Sequence, residues 1–263
     1  MSPNPTPTRM PAVFVGHGSP MNTLEHNRWT EAWHELGRSL PRPRAVLAIS
    51  AHWYIGTTAA TAMARPRTIH DFAGFPQALF DVEYPAPGAP DLVPRIAEVV
   101  APVHVLPDHD AWGLDHGTWS VLAHVYPDAD VPVVQLSLDA GRTAEEHVAQ
   151  GAALAPLRDE GVLVLASGNV VHNLGLLDWG APGAATDWNV EFDAAARGFL
   201  ADDPAGVHRL TEHPAYRLAA PSPDHLIPLY HVAGLAAAAG TTGRVFVDGG
   251  AYGSLSMTSF VVD

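Results

Sequence analysis

Five histidines stand where imidazole chemistry is available: His17, His52, His116, His172 and His225 each follow an apolar run or sit in a short turn or glycine-flanked segment. The chain carries 15 His against 14 Lys+Arg and no Cys, so imidazole is serving something other than surface charge. Neutral imidazole binds Fe, Zn, Cu or Ni, and three such ligands from separate elements leave coordination positions open for substrate or oxygen. His17, His52 and His225 form that candidate set. His116 and His172 are candidates for holding or moving protons beside it, because histidine titrates near neutrality. Each of the five, taken singly, also reads as a hydrogen-bonded core or turn residue, so spacing alone leaves both readings open. His70, Asp71, Trp53 and Phe75 are kept as substrate-binding candidates, His70 because a carboxylate such as the adjacent Asp71 can orient an imidazole. Trp53, Tyr54, Phe72, Phe75 and Trp112 read either as an aromatic pocket or as core. The other histidines, His26, His34, His104, His109, His124, His147, His208, His213 and His231, fall on expected helix faces or exposed turns and read as solvated.

The elements that must position these residues are legible as alternating strands and helices. Apolar, branched runs at 12–15, 45–49 and 162–166 lead directly toward His17, His52 and His172, as buried parallel strands do. Parallel strands end on one sheet edge, where open α/β sheets bind ligands. Helical spacing is expected over 26–38, 91–100, 118–125, 143–160, 187–200 and 224–239, with further strands at 103–106, 131–138, 245–247 and 254–262. The Pro-, Gly- and aromatic-rich stretch 66–90 reads as a binding loop. The fold expected is a single α/β domain with a mostly parallel central sheet flanked by helices. A flexible N-terminal segment over 1–11 precedes the catalytic domain at 12–263.

Composition narrows the function. A 47% hydrophobic chain of 263 residues can bury a sizeable core. Its formal charge of -14 argues against nucleic acid as a partner, since phosphate recognition needs clustered Lys and Arg. The absence of Cys removes disulfides, thiolate metal sites and a cysteine nucleophile. The first residues lack the apolar core of a secretory signal, and no apolar run approaches the roughly 20 residues of a membrane span. The expectation is a cytoplasmic protein with no membrane partner, as a monomer or a homo-oligomer. HExxH, GxSxG, Walker A and GxGxxG patterns are all missing.

Six stretches, taken together, carry a family resemblance: Val15-Gly16-His17-Gly18-Ser19-Pro20-Met21, Ser50-Ala51-His52-Trp53, Ile69-His70-Asp71-Phe72 with Gly74-Phe75-Pro76, Trp112-Gly113-Leu114-Asp115-His116-Gly117, Ser167-Gly168-Asn169-Val170-Val171-His172-Asn173 and Gly253-Ser254-Leu255-Ser256-Met257. In order and across nearly the whole chain, the sequence closely resembles the 4,5-DOPA extradiol dioxygenase family of the class III extradiol ring-cleaving dioxygenases. The resemblance implies that His17, His52 and His225 hold a metal. It makes His172 the catalytic acid/base or a fourth ligand, and lets His116 contact the catechol. Better-known extradiol enzymes use two histidines and one carboxylate. Here the third position falls on His225, with Asp224 beside it, so both Fe(2+) and Zn(2+) stay open, one ion per chain.

The activity implied is oxygen-dependent opening of a catechol such as DOPA beside its hydroxyl pair, giving a muconic semialdehyde type product. The partners expected are that small aromatic substrate and O2. Two other readings use the same residues: a zinc-dependent hydrolase in which His172 is the general base, and a non-enzymatic metal-binding protein.

Overall fold

A computed structural model describes residues 8–263. Its centre is built by the two-residue period of strands, which sends successive side chains to opposite faces. In β1 (Ala12–Gly16) Ala12 and Phe14 join one core layer while Val13 and Val15 join the other; in β2 (Ala45–Ile55) Leu47 and Ile49 oppose Val46 and Ala48. Both faces are covered, so these strands read as unbroken apolar runs. Each fully buried Phe, Leu or Ile contributes roughly 1.5–3 kcal/mol relative to exposure. One face is covered by helices Ala144–Ala153, Asp187–Asp202 and Ile227–Ala239, the other by Arg28–Ser39 and His116–Val125.

The remaining strands are β3 (Thr58–Thr61), β4 (Val105–Asp108), β5 (Val133–Asp139), β6 (Val162–Gly168), β7 (Arg244–Val247), β8 (Gly250–Ala251), β9 (Leu255–Ser256) and β10 (Ser259–Val262). The main sheet has the order β4-β3-β5-β2-β6-β1-β10-β7. Its middle, β5-β2-β6-β1, is parallel, whereas β10 and β7 add antiparallel at one side and β3 meets β5 antiparallel. Register sets Gly16 opposite Gly168 and Ser50 opposite Ser167. Three strands therefore deliver their following residues to one edge. The single α/β domain with a mostly parallel sheet is borne out.

Several boundaries differ from expectation for local reasons. The helix expected over 143–160 breaks at Leu154, and Pro156 starts the short helix Ala155–Asp159, since proline cannot donate within a continuous helix. The last long helix begins at Ile227 with Pro228 in its first turn rather than at Asp224, which leaves His225 on a turn. The strand expected over 254–262 is two pieces: β9 pairs with β8 in a separate ribbon and β10 joins the main sheet. β3, short and built of Thr and Ala, was not foreseen. Of the expected N-terminal segment, residues 1–7 lie outside the described residues, and Met10 is buried with its backbone bonded to Arg158. His124, His147 and His231 are buried rather than solvated. Among the described residues no helix is long and apolar enough to cross a membrane.

Candidate active site

His17 leaves β1 with its backbone N–H donating to Gly168 O at 3.0 Å. Its Nδ1 lies 2.8 Å from Ser167 Oγ, and the Ser167 hydroxyl donates to Gly117 O. The hydroxyl's one proton is thereby committed, so Oγ accepts from Nδ1–H and Nε2 presents a lone pair. The approach is close because residue 117 has no side chain: a Cβ there would stand 2.8 Å from His52 Cδ2.

His52 sits in an irregular stretch of β2, where the register with β5 shifts between Ile49 and Tyr54. Such bulges re-aim side chains. Its Nδ1 donates to Asp71 Oδ2 at 3.0 Å, while His116 Nδ1 and the His116 backbone N–H donate to Asp71 Oδ1 at 2.9 and 3.0 Å. One carboxylate from the 66–90 loop thus orients two imidazoles. His116 is fixed from below as well, as the first residue of a helix capped by the Asp115 side chain, which accepts from Thr118 N–H.

His225 is held through its carbonyl, which accepts from Asn169 N–H at 2.8 Å, and through Nδ1, which donates to Asp224 Oδ2 at 2.6 Å. Its Nε2 is buried without a partner. The His225 ring stands 5.3 Å from that of His17 and 5.0 Å from that of His52, centroid to centroid. His172, on the turn after β6, stacks against it.

These contacts leave the Nε2 atoms of His17 and His52 facing each other. They are 3.3 Å apart; with each Nδ1 protonated, two lone pairs face each other across a gap that a cation fills. Two nitrogens about 2.0–2.1 Å from one tetrahedral metal ion are separated by about 3.3 Å. His225, with a buried and unpartnered Nε2, lines the same cavity, so donors are available there for a bound metal. By separation of donor atoms, the third histidine grouped with His17 and His52 is His116, all within 4.8 Å. His225 lies outside that group but offers a buried Nε2 with no hydrogen-bond partner.

Electrostatics favours the neutral, ligating form of His17 and His225 but not of His52. Burial, reinforced by the neighbouring imidazoles, holds His17 and His225 well below the ordinary histidine value. His116 is lowered by burial and by His52 against the pull of Asp71, and His172 is pushed down to about 4 by burial, partly offset by Asp224. His52 goes the other way: burial lowers it, but the hydrogen bond to Asp71 and the surrounding carboxylates prevail. Burial also opposes the Asp71 charge, yet hydrogen bonds from His116 and His52 hold that carboxyl well below its usual range.

The five histidines line a cavity of about 320 Å³ whose outer wall includes Phe72, Phe75, Leu174, Leu177, Trp179 and Tyr252. Asp71 and Phe75, expected at the substrate, are on this wall. His70 and Trp53 are not. His70 donates from Nε2 to Val82 O at 2.9 Å and packs near Trp119, and Trp53 is buried in a stack with Trp112. The carboxylate beside His70 orients His52 and His116 instead. Sequence reasoning assigned no role to Ser167, Asn169, Trp179 or Tyr252; for the first two, their place at the end of a buried strand was an available signal.

Residues 11–253 match the family described as the catalytic LigB subunit of aromatic ring-opening dioxygenase. The chain belongs to this family. It is 49% identical over 231 residues to the 4,5-DOPA dioxygenase extradiol of Escherichia coli (strain K12), covering 86% of this chain and 85% of that one. It is 36% identical to the 4,5-DOPA dioxygenase extradiol of Beta vulgaris, over 94% and 96% of the two chains. The crystal structure of the uncharacterized protein JW3007 from Escherichia coli K12 superposes with a TM-score of 0.85 at 42% identity, covering 97% of this chain and 100% of that one. The resemblance drawn from the six sequence stretches is therefore borne out, and the protein is an enzyme of the aromatic ring-opening dioxygenase class.

Proposed function

We propose that this ring-opening dioxygenase is an extradiol enzyme acting on a catechol such as DOPA, with one divalent metal ion held by His17, His52 and His225. The observation that carries the reading is the common tautomer of these three rings: each Nδ1 is committed to Ser167, Asp71 or Asp224, and each Nε2 is left for the ion. When bound, Fe(II) supplies a Lewis acid that lowers the phenol pKa and brings catechol and O2 together; a zinc-loaded form belongs to the alternative hydrolase reading.

The chain's own residues do the rest. His172, neutral at physiological pH, accepts a phenolic proton as the catechol binds and returns it as the ring opens. His116, its Nδ1–H fixed on Asp71, offers Nε2 as acceptor to the second hydroxyl. Phe72 packs edge-on to His116, centroids 5.4 Å apart, and with Phe75 and Leu255 keeps water from the reacting ring. Both atoms of O2 enter the product, and the carbon–carbon bond beside the hydroxyl pair breaks. A catechol gives a muconic semialdehyde type product; DOPA gives a seco-DOPA able to cyclise.

The test is anaerobic loading with Fe(II), addition of a catechol, and admission of oxygen. Oxygen uptake equal to catechol consumed, with a yellow ring-opened product, supports the proposal. No uptake by folded, iron-loaded protein overturns it, and ester or amide hydrolysis by the zinc form without oxygen would establish the hydrolase.

A further inference from the structure

The outer half of the histidine cavity is chemically unlike its inner half. Its wall is formed on one side by Phe72 and Phe75, 5.5 Å apart and edge to face, and on the other by Leu174, Leu177, Trp179 and Tyr252. The sequence contains no lysine, and among the described residues no arginine lines this cavity. The carboxylates nearby, Asp71 and Asp224, are committed to His52, His116 and His225. A carboxylate on a substrate's side chain therefore finds no lysine or arginine to pair with at the lip, where the wall is apolar.

One residue at the lip, Tyr252, is held in place at some local expense. Tyr252 has φ 52°, in the left-handed region, which bulky side chains rarely occupy outside sites where the surroundings impose it. Its carbonyl accepts from Asp178 N–H at 2.9 Å, and Gly253, at φ 76°, is bonded on both sides to Ala184 and Thr186. That bond ties the Tyr252 turn to the segment carrying Trp179, whose ring lies 5.2 Å from the Tyr252 ring. Trp179 is nevertheless 72% exposed. An indole fixed at a cavity mouth and left in water gains burial when an apolar group seats against it.

We infer that Trp179 and Tyr252 select the substrate's ring substituent, and that the substituent they fit is uncharged and apolar, as on an alkyl- or arylcatechol. This rests on the catechol reading above, with the hydroxyl pair at the histidines and the substituent toward the lip. DOPA, whose side chain carries both a carboxylate and an ammonium, is accepted by this account but gains less from the apolar lip.

The test compares catechols of equal side-chain length on the Fe(II)-loaded full chain: 4-propylcatechol, 3-(3,4-dihydroxyphenyl)propionate and DOPA. Binding is measured anaerobically by calorimetry and kcat/KM by oxygen uptake. The expected result is that 4-propylcatechol leads the carboxylated compounds by about tenfold or more in both, the scale of discrimination a hydrophobic pocket provides. Trp179→Ala lowers the kcat/KM ratio of 4-propylcatechol to unsubstituted catechol roughly tenfold, and Trp179→Arg shifts preference toward the propionate. Equal or better binding and turnover of the carboxylated catechols by the unaltered chain overturns the inference, as does an unchanged ratio in Trp179→Ala. If no catechol consumes oxygen while anaerobic binding keeps the expected order, the dioxygenase reading falls and the assignment of the lip stands.

Discussion

The ring of His172 lies flat on that of His225, with 3.4 Å between centroids and 2° between planes. The two rings have different partners. His225 spends its Nδ1 proton on Asp224, whereas the ring of His172 has no hydrogen-bond partner among the described residues. A proton taken up by His172 sits over an imidazole already tied to a carboxylate, and Asp224 is the group that raises its proton affinity against burial. This is the environment of a proton carrier. We predict that His172→Gln keeps its metal and loses about 10²- to 10⁴-fold in kcat, the range for a missing general acid–base. Metal analysis beside steady-state kinetics decides the matter: loss of the ion together with the activity makes His172 a fourth ligand.

The third ligand can be separated from its neighbour by the same approach. His225 has an orphaned, buried Nε2, while His116 lies within the compact group of donors around His17 and His52. His17→Ala, His52→Ala and His225→Ala are expected to remove most bound metal, and His116→Phe to retain it while turnover is lost. Metal content of dialysed protein is the readout. Retention in His225→Ala with loss in His116→Phe would exchange the two roles.

Asp71 gives the loop over 66–90 a task that can be tested directly. Its two oxygens hold His52 and His116 from one carboxylate. Asp71→Asn leaves a single acceptor oxygen, so one ring loses its orientation. Substitution of such a supporting carboxylate is expected to weaken metal affinity about 10- to 100-fold, read by titration against a competing chelator. An unchanged affinity would mean that packing alone fixes His52.

How far the site could be read from sequence depended on whether a residue acts near the strand that carries it. His17 and His172 follow strands whose apolar runs are evident, and parallel pairing put them at one edge without further information. Asp71 could not be placed this way: it reaches His116 across 45 positions of sequence, through an irregular loop with no periodicity to read. His70 beside it looked equivalent in sequence and faces Val82 instead. Trp53 failed for a related reason, since the bulge in β2 aims His52 inward and leaves Trp53 to stack on Trp112. The broken helix at Pro156 was signalled by its proline and was overridden by the run of alanines around it.

We predict that two buried histidines away from the site, His147 and His231, add to the loss of stability in acid. His147 and His231 pack across the interface of helices Ala144–Ala153 and Ile227–Ala239, with ring centroids 5.2 Å apart. Burial first, and then Arg142, pushes His147 from 6.5 down to about 4, and burial with the neighbouring His147 takes His231 to about 3. Both folded-state values lie below the unfolded one. Above pH 6.5 the two states are equally unprotonated at these rings and the pair has no pH-dependent effect. As pH falls below that value the unfolded chain takes up protons that the folded chain refuses, so stability declines until the folded values are reached. For His147 alone the full decline is about 3 kcal/mol. Thermal unfolding of metal-free protein at pH 7 and near pH 4.5 should therefore show a smaller acid-induced fall in Tm for the double variant His147→Leu, His231→Leu than for the unaltered chain. The site histidines are the same in both proteins, so their contribution cancels in the comparison. Parallel pH dependences would show that the pair takes up protons alike in the folded and unfolded chain and would remove it as a cause of acid lability.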